Sequence, residues 1–286
     1  MHNHFNTVLI VGLGDLGAEL AKRLQVAGLH VVGVRRSISN ADNSIQVINA
    51  DVTQPASLNV LENVKPDIVI YCVAASGQSD AEYKAAYVDG LRNVLATQHN
   101  NAQLKHVFFV SSTRVYGQEV DGLLDESIPA IPADFGGERL LEAEGLLAGV
   151  QCGASALRLS GIYGPGRLRM INLAKSAASW PRQNSWSNRI HRDDAAAFMV
   201  FLCQQVLAKQ PLHDCYIVTD SKPVPQYDVL SWIAEATHNN QAAPLAPDGG
   251  KRLSNQRMLA TGFKLQYPDY QAGYGALLAQ LYTQVN

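Results

Sequence analysis

Residues 7–20, TVLIVGLGDLGAEL, decide how this chain folds. Val8, Leu9, Ile10 and Val11 form an uninterrupted apolar run, the mark of a strand covered on both faces. Glycines follow at 12, 14 and 17, and the apolar spacing then becomes helical and runs to Gly28. In such a unit the first glycine permits a tight turn and the second lets backbone N–H groups approach a pyrophosphate. The third lets helix and strand pack closely, while the helix N-terminus favours negative charge. The cradle so defined comprises Gly12, Leu13, Gly14, Asp15, Leu16 and Gly17. A glycine turn without a ligand is the competing reading, but its place at the head of a strand–helix alternation favours a dinucleotide.

That alternation continues outward from the loop. Further strands are expected in HVVGV, IQVINA, DIVIYCV, KHVFFVSS and SALRLS, with helical spacing in DLGAELAKRLQVAG and in SDAEYKAAYVDGLRNVLATQHN. Repeated βαβ units imply an α/β, Rossmann-type doubly wound parallel sheet. After GIYGPGRLRM the pattern changes to helix-like DDAAAFMVFLCQQVLAKQ, strand-like DCYIVTD, helix-like PQYDVLSWIAEATH and a helical tail. The expected domains are a dinucleotide-binding part over 1–160 and a smaller mixed C-terminal substrate lobe over 161–286, partly interleaved with it. DCYIVTD could equally extend the main sheet. NNQAAPLAPDGGKRLSN reads as the most mobile loop.

The second strand carries the next signal. A site for NAD usually places an acid at its end to meet the ribose 2′-hydroxyl, yet HVVGVRRSISN ends in Arg35 and Arg36, with no carboxylate before Asp42. Two guanidiniums suit a 2′-phosphate, because forked planar donors match its oxygens. NADP is therefore expected over NAD, against the alternative of solvated turn arginines. Asp51 and Val52, after the third strand, are assigned to the adenine side; an Asx turn is the structural rival for Asp51.

Composition narrows the partners. The chain has 23 Lys and Arg against 25 Asp and Glu, a net charge of -2, and these charges are scattered. Neither a nucleic acid nor an anionic membrane is expected, and a small molecule is. No apolar run approaches membrane-spanning length, and the first strand begins too early to leave room for a cleavable leader. Cys72, Cys152, Cys203 and Cys215 lack metal or disulfide spacing and read as buried free thiols, which fits a reducing cytoplasm. No metal site is expected: His191 has no second histidine at helical spacing.

Taken in order, VFFVSSTRVYGQ, LLDESIPAIPADFGGERLLEAE, ALRLSGIYGPGR and NRIHRDDAAAF resemble the extended short-chain dehydrogenase/reductase superfamily, and within it the NAD-dependent epimerase/dehydratase family. The resemblance covers residues 7 to about 200. It implies that Ala74 and Ala75 let backbone lie against the cofactor, that Ile162 borders it, and that Ser112, beside Thr113, orients a substrate oxygen. It also implies a Tyr-x-x-x-Lys pair for proton transfer, and there the sequence departs. Phe135 stands at the tyrosine position and Arg139 at the lysine position.

Phenylalanine has no ionisable proton, so Phe135 cannot act as acid or base. Arg139 can donate hydrogen bonds to a ribose but is a poor proton shuttle. Ser112, Thr113 and Arg139 remain as the catalytic candidates. Tyr116, Tyr163, Asp134 and Glu138 are weaker replacements for the phenol, and Asp193 or Asp194 is an N-cap candidate. Arg167, Trp180 and Trp186 fall where this family lines its substrate pockets, with aromatic packing as the rival reading. The helices AEYKAAYVDGLRNVL and ERLLEAEGLL suit either a homodimer or simple cover for a sheet. Two functions stand side by side: an oxidoreductase or epimerase on a small carbonyl or sugar-like substrate, and a non-catalytic NADP(H)-binding or redox-sensing protein.

Overall fold

The computed structural model describes residues 6–37, 45–118, 120–239 and 246–285. Asp42 and residues 240–245 of the loop expected to be mobile lie outside that range. The main sheet contains β1 (Thr7–Val11), β2 (His30–Arg35), β3 (Gln46–Asn49), β4 (Ile68–Tyr71), β5 (His106–Ser112), β6 (Gly153–Leu159) and β7 (Cys215–Val218). Its order is β7-β6-β5-β4-β1-β2-β3, and the pairings from β3 across to β5 are parallel. DCYIVTD thus supplies the seventh strand of this sheet. β1 lies where the order turns: β2 and β3 follow on one side, β4 and β5 on the other, the arrangement that opens a crevice at the carboxyl ends of the strands.

Burial explains the apolar run Val8–Val11 of β1. Val8, Leu9, Ile10 and Val11 are fully buried, each contributing about 1.5–3 kcal/mol relative to exposure. Helix α1 (Asp15–Val26) directs Leu16, Leu20, Ala21 and Leu24 inward, as its spacing predicts. The expected helix after β4 is interrupted: α2 (Asp80–Tyr83) and α3 (Gly90–Thr97) flank a π-helical turn at Lys84–Asp89. A π turn leaves a carbonyl without its usual partner, and the Tyr71 hydroxyl donates to Ala86 O there. Helix α4 (Phe135–Gly145) begins at Asp134, whose carboxylate accepts the Gly137 amide at 2.9 Å.

By its internal contacts the chain forms two compact units. The first runs to Gly117 and resumes over Ala130–Arg158 and Ala196–Tyr216; the second takes Gln118–Pro129, Leu159–Ala195 and everything from Ile217 onward. The second unit has its own apolar core, in which Tyr163, Tyr227, Leu230, Ile233 and Tyr274 meet.

Candidate functional site

Strand register builds the site. Val11 pairs with Val34 and with Tyr71, so Gly12, Arg35 and Cys72 each lie one residue past a common line at the carboxyl edge. Arg35 pairs with Asn49, which brings Asp51 to the same edge, and Tyr71 pairs with Phe109, which sets Ser112 level with Ala74. Over β1, β2, β3 and β4 this edge encloses a cavity of about 570 Å³. Gly12, Leu13, Gly14, Arg35, Arg36, Asp51, Val52 and Ala74 line it. Asp15, Leu16, Gly17, Ala75, Ser112, Thr113, Arg139 and Ile162 are not among its lining residues. Ile162 is in the second unit, half-buried on the short strand Gly161–Tyr163.

The three glycines differ in what surrounds them. Gly12 has φ +105°, and a β-carbon there would sit 2.7 Å from the Cys72 carbonyl carbon; one on Gly17 would crowd the Gly12 carbonyl. A β-carbon on Gly14 would meet nothing within 4 Å among the described residues, so its approach face opens onto the cavity. The amides of Gly12 and Leu13 both donate to Val34 O, at 2.9 and 3.2 Å, which fixes the loop to β2. The donors for an anion therefore come from further along. The first ladder bond of α1 runs from the Ala18 amide to Gly14 O, and the Leu16 and Gly17 amides precede it at the positive helix end.

Asp51 satisfies both readings. Its Oδ1 accepts the Thr53 amide at 2.9 Å and hydroxyl at 2.8 Å, an Asx turn, while the residue lines the cavity. The lining also includes Ser37, Cys72, Ser76, Glu82 and Ala85, for which the sequence carried no signal. Glu82 is held there by a capping box with Ser79, whose hydrogen bonds keep its carboxyl below the usual range. Cys72, Cys152 and Cys215 are only half-buried; Cys203 alone of the four is fully buried.

Phe135 opens α4 with its ring edge-on to Tyr83, centroids 5.5 Å apart. Arg139, expected at the cofactor ribose, is held by two carboxylates of the protein. Nε and Nη2 donate to Asp80 at 2.7 and 3.0 Å, and Nη1 donates to Glu142 at 2.6 Å. Those hydrogen bonds, Asp80 first, raise the guanidinium pKa above its ordinary value. Asp134 is occupied as N-cap and as partner of Arg114 Nε, at 2.9 Å. Tyr116 is fully buried and accepts a hydrogen bond from Arg158, which also forks onto Glu144. Ser112 Oγ accepts the Arg114 amide at 3.2 Å.

The second unit accounts for the remaining candidates. Tyr163 is buried between His191 and Tyr274, and burial pushes its hydroxyl far above the ordinary range. Trp180 packs edge-on to Tyr227, and Trp186 lies beneath Arg252. Asp194 is not an N-cap of its own helix, which spans Arg192–Leu207. It accepts the amides of Gln266 and Tyr267, each at 2.8 Å, and thereby ties down a distant loop. Among the described residues no cluster of metal-ligating side chains occurs, and no helix is long and apolar enough to cross a membrane.

Among known proteins, the profile of the NAD dependent epimerase/dehydratase family matches residues 8–216. No curated protein matches. A solved structure from Methylobacillus flagellatus, described as of that same family, is 49% identical, with TM-score 0.89 over 97% of this chain and 99% of that one. A UDP-glucose 4-epimerase is 19% identical, with TM-score 0.76 over 94% and 95% of the two chains. The Bordetella bronchiseptica enzyme WbmG, in complex with NAD, is 18% identical, with TM-score 0.79 over 97% and 94%. The last two likenesses speak for the fold.

Proposed function

Because the chain belongs to the NAD-dependent epimerase/dehydratase family, we propose that it binds a nicotinamide dinucleotide at the glycine loop and prefers NADP(H). On this reading it acts on a small carbonyl or sugar-like substrate as an oxidoreductase or epimerase, without the usual Tyr–Lys pair. The observation that carries it is the open face of Gly14 on a cavity that also presents Arg35, Arg36 and Asp51. The Leu16 and Gly17 amides hold the diphosphate at the helix N-terminus. Asp51 and Val52 flank the adenine, and Arg35 with Arg36 receives a 2′-phosphate. The neighbours solved in complex hold NAD, so the phosphate preference rests on these two arginines alone.

A bound nicotinamide supplies hydride exchange. What the chain adds is orientation. Ser112 and Thr113, at the end of β5, direct the substrate oxygen, and Arg139, once it leaves Asp80, donates to the nicotinamide ribose. The second reading, a dinucleotide-binding protein without turnover, is favoured by one specific observation: the residue at the phenol position is Phe135, packed on Tyr83.

Thermal shift tests the cofactor assignment: NADPH should raise the melting temperature more than NADH does, and Arg35→Ala with Arg36→Ala should erase the difference. Equal stabilisation by both nucleotides overturns the preference. Turnover is tested on a carbonyl panel with native protein and with Phe135→Tyr/Arg139→Lys. Native activity supports the enzyme. Activity that appears only in the double variant supports the binding protein.

A further inference from the structure

We propose that Arg114 holds the reacting end of the substrate in place of the absent phenol, and that the ligand there is a carboxylate or 2-oxo acid group. The proposal deepens the functional reading above and rests on it. Arg114 follows Ser112 by two residues, in the turn Thr113–Val115 that closes β5. Its guanidinium lies over two rings, with Cζ 5.0 Å from the Tyr83 centroid and 5.4 Å from that of Phe135. A cation therefore sits beside the ring that has lost its hydroxyl.

This cation is immobilised from several directions. Nε donates to the Asp134 carboxylate at 2.9 and 3.0 Å, and Nη1 donates to the Tyr83 hydroxyl at 2.7 Å. Gly136 supplies the space: a β-carbon there would lie 2.6 Å from Nη1 and 2.7 Å from Nε. The F-G-G sequence at 135–137 thus matches an arginine at 114, although 20 residues lie between Phe135 and it in the chain.

A guanidinium carries five N–H donors, and the contacts above commit Nε and one on Nη1. Nη2 makes no hydrogen bond among the described residues, and the side chain remains 33% exposed. Adjacent N–H groups on Nη1 and Nη2 match the two oxygens of a carboxylate. The Ser112 hydroxyl accepts the Arg114 amide and keeps its own proton for donation. A donor fixed in advance costs no reorganisation when an oxygen gains charge, so it polarises a carbonyl that it cannot itself protonate.

Oxalate is the probe, a small dianion resembling a 2-oxo acid, titrated calorimetrically into the full chain with and without NADPH. Saturable uptake by the native protein is expected, with affinity about tenfold or more weaker in Arg114→Gln. Gly136→Ala should weaken it as well, because the added methyl displaces the guanidinium without changing its charge. The NADPH-induced thermal shift should persist in both variants, which a general structural failure would not allow. No uptake by the native protein, or equal affinity in native and both variants, overturns the proposal. Should NADPH fail to stabilise the native protein, the dinucleotide reading falls, and the titration without NADPH still decides the role of Arg114.

Discussion

Arg139 and Asp80 form a two-point pair, Nε to Oδ1 at 2.7 Å and Nη2 to Oδ2 at 3.0 Å, that joins α4 to the start of α2. The hydrogen bond from Arg139 holds the Asp80 carboxyl below its ordinary range. Both partners face solvent, where such pairs add little stability. The ribose contact implied by the family resemblance requires Arg139 to leave Asp80. Asp80→Asn should therefore move the melting temperature by no more than about 2 °C, while tightening NADPH binding roughly threefold by calorimetry. Unchanged affinity would leave Arg139 as a brace between helices.

The glycine loop separates binding from folding more sharply. A β-carbon on Gly14 meets nothing within 4 Å among the described residues, whereas one on Gly17 presses on the Gly12 carbonyl. Gly14→Ala should keep stability within about 1 kcal/mol while reducing dinucleotide affinity at least about tenfold, because the methyl takes the phosphate's place. Gly17→Ala should lower stability itself, by about 1–3 kcal/mol in denaturant unfolding. If Gly14→Ala binds NADPH as the native protein does, the loop is a structural turn.

What was legible in the sequence was local. Val8 to Val11 and the glycines after them report their own environment, and Arg35 and Arg36 stand at the end of a strand that can be counted. The seventh strand stayed ambiguous because Cys215–Val218 has the same pattern whether it joins this sheet or another. Arg114 was invisible for a different reason. Its surroundings come from Tyr83, Asp134 and Gly136, and nothing in S-S-T-R-V-Y-G announces them. The π turn at Lys84–Asp89 likewise depends on Tyr71, which lies on another element and reaches Ala86 O. Asp194 looked like a helix cap because first-turn acids usually are, but the Gln266 and Tyr267 amides compete for it successfully.

Two buried groups should give stability opposing pH slopes. His106, hydrogen-bonded to Ser155 at 2.9 Å, has its pKa lowered by burial from 6.5 to about 4. Its contribution is fully present above pH 6.5 and is lost as pH falls toward 4, since the unfolded chain takes up a proton that the folded one refuses. Asp220 runs the other way: burial, only partly offset by Arg189, raises its pKa from 3.8 to about 7. Its contribution is present below 3.8 and is lost as pH rises to about 7. In urea unfolding from about pH 4 to about pH 8, Asp220→Asn should gain on the native protein with rising pH, by on the order of 3 kcal/mol across the window. His106→Gln should lose on it over the acid half as pH rises. Parallel curves for native and Asp220→Asn would mean that Asp220 is charged in the fold throughout.

Tyr163 offers the last test, because its buried hydroxyl has no hydrogen-bond partner among the described residues and its ring carbon Cζ would lie 2.6 Å from a β-carbon on Gly273. Gly273 is inside the helix Tyr270–Val285, where alanine has the higher helical propensity. Crowding against Tyr163 should outweigh that preference, so Gly273→Ala is expected to lose about 1–3 kcal/mol. Tyr163→Phe removes the unsatisfied hydroxyl and should be neutral or stabilising by up to about 1 kcal/mol. The double variant should recover part of the Gly273→Ala loss, the coupling expected of groups in contact. Strict additivity in that cycle would show that the helix backbone, not the phenol, sets the cost. If a substrate is found, unchanged turnover in Tyr163→Phe would also place this tyrosine in the packing of the second unit and outside the chemistry.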